Sequence, residues 1–483
     1  MKSTGIIVMK SRLLMFVEIL LLFSFLSVVN SAVLAKGTGE EGDLGPQSMQ
    51  AVGEKNVLMV VVRFPDAAPT TPIETVKRRV VAGLSFYVKE QSYGLSSIKA
   101  DFRGYVMLPS PLADYKISPY NFRVDKGRIR KLIEDTMTAI EKEIDFSAYD
   151  HILIIPAVNT MPSKGYGMIC YCANPGMLSG VTRMYVPRYD TLRTAGGKEF
   201  KGGVFVGTEN AGLGMFAHDY FHSLGGIHDG KRLVPCLYDY ERQSDTSAGL
   251  PSFEHHAVYM GPWDIMSQHH VKRGQPPAGL SSFTKIRLGW IGRQQVQIVN
   301  PGETSYVSLS PLSKGGKFLA VKIPLGDGTY YLVENRQPIG FDKALPDSGI
   351  IILKVNPRAA EGYGTVEVKS AGGPRDFVNA TYKLELDNRN IFIDNVSSGR
   401  SQKNNIAIIP LWKEKDDLGV LVTTPDHSKA AIKAGRAIQT LIDKNPGTSD
   451  SKEKNVISEA IAAFKNKDFE KSYSIAMSNQ YKE

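Results

Sequence analysis

The chain has 483 residues, 42% of them hydrophobic and 22% charged, with a formal net charge of +9. That length exceeds one ordinary core and asks for two or three domains, and the composition excludes a disordered or fibrous chain. The positive charge is spread along the sequence, without an arginine-rich run or an aromatic-interleaved basic motif, so no nucleic-acid partner is expected.

Lys2, Lys10 and Arg12 precede the apolar run LLMFVEILLLFSFLSVV, and small residues follow at Ala32 and Ala35. Residues 1–35 therefore predict a secretory signal peptide, cut after Ala35, and a secreted protein. The stretch from Leu13 to Leu34 is also long enough to span a bilayer. The alternative is thus a membrane anchor that leaves the remainder at the outer face of the cell membrane. Residues 36–54 are polar and glycine-rich and read as a flexible leader. They contain no cysteine, which excludes latency by a cysteine switch.

Between 55 and 294 strand and helix patterns alternate, as expected of an α/β (α+β) domain. NVLMVVVRFPD at 56–66 is a buried-strand run, and residues 73–91 carry Val76, Val80, Val81, Leu84, Tyr87 and Val88 at helical spacing. SSIKADFRGYVMLP at 96–109 reads as a strand, 127–144 as a helix and HILIIPAV at 151–158 as a strand. From 295 to 425 short β-rich runs such as TYYLVENR and GIIILKV alternate with turn residues, which predicts an antiparallel β-sandwich-like domain. Asn379 and Asn395 head glycosylation sequons by pattern. Residues 426–483 have helical spacing and form a small C-terminal appendage, with a faint likeness to one tetratricopeptide-type hairpin.

The chemistry concentrates in GMFAHDYFHSLGGIHD, residues 214–229. On a helix expected over about 210–224, His218 and His222 lie one turn apart on the same face. Gly225 then lets the chain turn back and present His228 as a third metal ligand, leaving a fourth position open as in catalytic zinc sites. Asp219 occupies the place of a general base. Its carboxylate is one methylene shorter than glutamate, so it falls about 1.3–1.5 Å short of the usual reach. Asp229 reads either as a partner of a zinc-bound imidazole or as a turn cap. His255-His256 and His269-His270 read as cleft-lining or solvated pairs. Of the three cysteines, Cys236 is expected to form a disulfide with Cys170 or Cys172, as befits an exported chain.

The string HDYFHSLGGIHD resembles the HExxHxxGxxH motif of the metzincins, with Asp in place of Glu, and GPWDIMSQ at 261–268 supplies the methionine turn of that group through Met266. Phe64-Pro65-Asp66, Ser92-Tyr93-Gly94, Trp263-Asp264-Ile265-Met266-Ser267 and Lys285-Ile286-Arg287-Leu288-Gly289-Trp290 are similar to elements of the immune inhibitor A-like zinc metallopeptidases. The resemblance covers roughly residues 55–355 and implies a metzincin-like catalytic domain with one zinc ion per chain. The implied activity is hydrolysis of peptide bonds in protein or peptide substrates, slowed by Asp219. The alternative is an inactive zinc-binding pseudopeptidase that serves as a peptide-binding surface module. Calcium is admissible in such an enzyme, but the chain has no D-x-D-x-D-G loop.

Overall fold

Alternate side chains of each buried strand enter different hydrophobic layers, and this period-two division organises the molecule. The structure, a computed structural model, describes residues 42–115, 125–159, 170–180, 186–244, 253–268, 276–384, 390–395, 397–398, 402–445 and 451–478. Residues 1–35, read from the sequence as a signal or anchor, the start of the leader and His269-His270 lie outside the described residues. Of the unit Met1–Asp43 only Gly42 and Asp43 are described, and Leu44–Glu483 form the second unit. No helix among the described residues is long and apolar enough to cross a membrane.

The fold is mixed α/β with several sheets. The first sheet contains β1 (Gly53–Arg63), β2 (Ser96–Met107), β3 (His151–Pro156), β4 (Cys170–Asn174) and β5 (Gly203–Gly207), in the order β2-β1-β3-β5-β4. All its pairings are parallel except that of edge strand β4 with β5. On β1, Leu58, Val60 and Val62 face a core shared with α2 (Lys126–Ile140), whereas Val57, Met59 and Val61 face the opposite one. That opposite core contains α1 (Leu84–Gln91) and α3 (Leu213–Gly225). The helical run read at 73–91 is present, with a π-turn at Arg78–Gly83 between Ile73–Lys77 and α1.

Two further sheets make a sandwich. One has the order β6 (Val296–Ile298), β8 (Ala320–Pro324), β9 (Tyr330–Arg336), β10 (Gly349–Val355), β11 (Val366–Val368). The other has the order β7 (Ser305–Leu309), β14 (Asp417–Thr423), β13 (Ile406–Glu414), β12 (Phe392–Asp394). Pairing is antiparallel except between β6 and β8. Tyr331 and Val333 of β9 point into the sandwich, while Tyr330 and Leu332 join the core beneath the first sheet. Ile406 and Ile408 of β13 likewise point inward, and Ile409, Leu411 and Trp412 point outward against the C-terminal helices α5 (Pro425–Lys444), α6 (Ser451–Lys465) and α7 (Phe469–Ser478). The element types change near 294 and 425, yet one core runs unbroken from Leu44 to Ala380.

From Leu44 onward the leader departs from the flexible reading, since Leu44, Ser48 and Ala51 are buried. Its polar groups bind carbonyls that would otherwise be left unsatisfied at the end of α3. Ser48 Oγ donates to the Leu224 carbonyl, and Gln50 Nε2 donates to those of Ser223 and Leu224. Further contacts come from α4 (Ser282–Arg287) and the segment after it. Arg287 Nη1 donates to the carbonyls of Leu44 and Pro46, and Trp290 Nε1 to that of Ala51.

Beneath the methionine turn lies a dry ion network. Arg336 of β9, fully buried, pairs with Asp342 at 2.8 and 2.9 Å and with Glu334 at 2.9 Å, and also donates to the Trp263 carbonyl at 3.0 Å. Replacing Arg336 with Ala strands two buried carboxylates, so a loss of about 3–5 kcal/mol is expected. A chemical-denaturation curve with an unchanged midpoint would contradict this account.

Candidate metal centre

Helix α3 is apolar nearly all round, and every residue from Gly214 to Gly225 is buried, as expected of a helix packed on both sides. Two imidazoles therefore sit in a region without bulk water. His218 Nδ1 lies 3.0 Å from the Ile265 carbonyl, and His222 Nδ1 lies 2.6 Å from the Val234 carbonyl. A carbonyl only accepts, so each Nδ1 carries the hydrogen and each Nε2 presents a lone pair. The two Nε2 atoms are 3.0 Å apart. Burial and the neighbouring His222 push the His218 pKa well down, so a proton is poorly suited to bridge them.

Cys236 completes the group. Its Sγ lies 3.3 Å from His222 Nε2 and 3.6 Å from His218 Nε2, and the three donors form a buried cluster that can hold a metal ion. A tetrahedral zinc ion with ordinary Zn–N and Zn–S bonds needs N···N and N···S separations of about 3.3 and 3.6 Å, so the triangle fits within a few tenths of an ångström.

His228 stands elsewhere. Asp229 and Gly230 both have positive φ (46° and 68°), and His228 pairs with Lys231 across the resulting two-residue hairpin. The His228 side chain is 41% exposed, with Nε2 3.4 Å from Asp229 Oδ2. The hairpin carries His228 away and returns the chain to bring Cys236 against the histidines. Two glycines build that path. Gly226, at φ 73°, makes the helix-ending turn, and a Cβ on Gly225 would sit 2.6 Å from Val234 Cγ2. The missed signal was Asp-Gly itself, a strong hairpin former, with a zinc-type ligand six residues beyond it.

The expected disulfide is not formed, and all three cysteines are free and buried. Cys236 Sγ faces the imidazoles, Cys170 Sγ reaches the Met215 carbonyl at 3.5 Å and Cys172 Sγ the Pro175 carbonyl at 3.4 Å, so the thiols are committed to different partners. Asp219 stands outside the donor cluster. Its carboxylate is buried beside the Cys170 thiol and the Cys172 backbone of edge strand β4, and burial pushes its pKa up to about 7.

The turn that carries Met266 supports two of the donors through its backbone. The Ile265 carbonyl orients His218, and the Met266 carbonyl accepts from Leu237 N, next to Cys236. Asp264 holds the turn by accepting from Met266 N, Ser281 N and Thr284 Oγ1, and the Met266 side chain is fully buried in the core. His256 is buried against Tyr238, whose ring stacks on His218.

A second clamp comes from the sandwich. Glu361 accepts from Cys236 N at 2.8 Å and from Tyr240 OH at 2.8 Å, and pairs with buried Arg232, whose Nη2 lies 3.9 Å from Cys236 Sγ. No family model and no curated protein matches the chain. The likeness to the immune inhibitor A-like peptidases thus rests on the sequence motifs alone.

Three outcomes are expected. His222→Ala and Cys236→Ala should each abolish stoichiometric zinc, while His228→Ala retains it. In the cobalt-substituted protein a thiolate-to-metal charge-transfer band should be present and vanish in Cys236→Ala. Removing the clamp by Glu361→Ala should weaken metal affinity by about 10–100-fold, the usual range for a residue that orients a ligand. Competition with a chelator of known affinity measures this.

Proposed function

We propose that the chain is a zinc-dependent endopeptidase of metzincin-like type, acting outside the cell on protein or peptide substrates. The observation that carries this reading is the convergence of His218 Nε2, His222 Nε2 and Cys236 Sγ within a buried triangle, with both Nδ1 hydrogens committed to carbonyls. The sheet with one antiparallel edge strand beside the metal helix, and the methionine turn touching both ends of the ligand set, support a metzincin-like arrangement. The N-terminal sequence supports export.

Zinc bound at the three donors supplies Lewis-acid polarisation of a carbonyl and activation of a water nucleophile. The chain's own residues do the rest. Ile265 and Val234 hold the imidazoles in the ligating tautomer, Glu361 and Arg232 hold Cys236, and Asp219 offers a carboxylate to accept and return a proton. The short side chain makes turnover slow, since a misplacement near 1 Å costs on the order of a hundredfold.

One observation favours a second reading, an inactive zinc-binding protein that recognises peptides. The buried Asp219 carboxylate lies outside the donor cluster, beside the Cys170 thiol and the Cys172 backbone. Variants of Asp219 separate the two at equal zinc occupancy. If the protein is a handicapped peptidase, Asp219→Glu should raise cleavage of an unfolded protein substrate by about ten- to a hundredfold, roughly 1.4–2.7 kcal/mol of barrier. Asp219→Ala should then remove activity while keeping the metal. Equal inertness of the native protein and Asp219→Ala, with zinc bound in both, replaces the first reading by the second.

A further inference from the structure

Gln50 lies on the surface, yet its amide reaches the end of the helix that carries both histidines. Nε2 is 3.2 Å from the Ser223 carbonyl, 3.3 Å from that of Leu224 and 3.1 Å from Tyr189 OH, so its two hydrogens face three acceptors. Tyr189 OH in turn donates to the Ser223 carbonyl at 3.4 Å. Ser223 and Leu224 directly follow His222. The same amide fills the space beside the helix-ending turn, where a Cβ on Gly226 would lie 2.6 Å from Gln50 Nε2. Gly226 N donates to the His222 carbonyl, and the Gly226 carbonyl accepts from Leu233 N, one residue before the Val234 carbonyl that orients His222. One side chain thus grips the turn on which both the backbone and the tautomer of His222 depend. The strap that carries Gln50 is itself fixed. Gln47 Nε2 donates to the carbonyls of Ile286 and Ile291, and Ser48 N to that of Arg287, so this part of the leader rides on α4. Ser281 and Thr284, at the start of α4, hold Asp264 of the turn that orients His218. Gln50 therefore ties the His222 end of α3 to the body that sets His218.

We propose that Gln50 is a positioning residue of the metal centre, whose amide hydrogens hold the end of α3 so that His222 Nε2 stays beside His218 Nε2 and Cys236 Sγ. The inference rests on the reading of those three donors as metal ligands. A carbonyl only accepts, so the position needs a donor, and this separates the role from size and from charge. Gln50→Glu keeps the shape but sets acceptors against two carbonyls, leaving them unpaired. Gln50→Lys keeps donors on a side chain of similar reach. Because Gln50 is exposed, these replacements leave the cores intact.

The test is competition for zinc between the full chain and a chelator of known affinity. Gln50→Glu should weaken zinc binding by about three- to tenfold, although its added negative charge by itself favours a cation. Gln50→Lys should stay within about twofold of the native protein, although its added positive charge by itself disfavours one. The ligand-field bands of the cobalt-substituted protein should shift in Gln50→Glu and not in Gln50→Lys, a readout that a general loss of stability does not move. Gln50→Met removes the donors without adding charge and should weaken zinc binding in the same sense, so the test stands even where circular dichroism shows Gln50→Glu to be unfolded. An unchanged affinity in Gln50→Met, or a loss in Gln50→Lys as large as that in Gln50→Met, overturns the proposal while leaving the metal centre in place. Absence of zinc binding by the native chain overturns the metal centre, and this inference with it.

Discussion

Two buried imidazole nitrogens 3.0 Å apart, with the Cys236 sulfur 3.3 and 3.6 Å from them, set the terms for everything around them. A cation shared among these donors would stabilise the arrangement, and burial makes protonation of His218 a poor way to supply one. The surroundings are organised to keep the rings where they are. One carbonyl from the methionine turn and one from the returning chain fix the tautomers, and a thiol is delivered to the same point. A helix exposed to water on one side would gain nothing from this arrangement, because solvent would satisfy each imidazole separately.

Rigidity at that point is drawn from far along the chain. The turn that orients His218 is held by Asp264, and the same turn receives the Arg336 guanidinium through the Trp263 carbonyl. The leader ties off the last carbonyls of α3, and Glu361 fixes the amide of Cys236. Four segments distant in sequence therefore converge on one short helix. This explains why the core has no seam at residue 294, where the sequence texture changes from alternating helices and strands to short β runs.

Much of this was legible from periodicity. The β1, β3, β9 and β10 runs are continuous enough in apolar residues to be read as buried strands, and His218 and His222 declare themselves by helical spacing on a helix that does form. What was not legible depends on tertiary geometry. His228 matched a ligand position by spacing, but a two-residue hairpin turned it outward, and Cys236 arrived instead. The glycine-rich leader looked unstructured because its composition lacks a strong pattern, whereas its order from Leu44 comes from polar side chains meeting carbonyls that only the folded helix end presents. The cysteines invited a disulfide because compartment, not geometry, was all that the sequence offered.

The Glu361 clamp also places the metal centre in time. Both histidines and the cysteine lie in the first half of the chain, but the carboxylate that holds Cys236 follows 125 residues later. A chain made from its N-terminus has all three donors long before their geometry can be locked. The donor geometry is thus completed late in maturation. By the same logic a fragment cut at residue 294, where the sequence alone would place a boundary, contains all three donors and still lacks the carboxylate that holds Cys236.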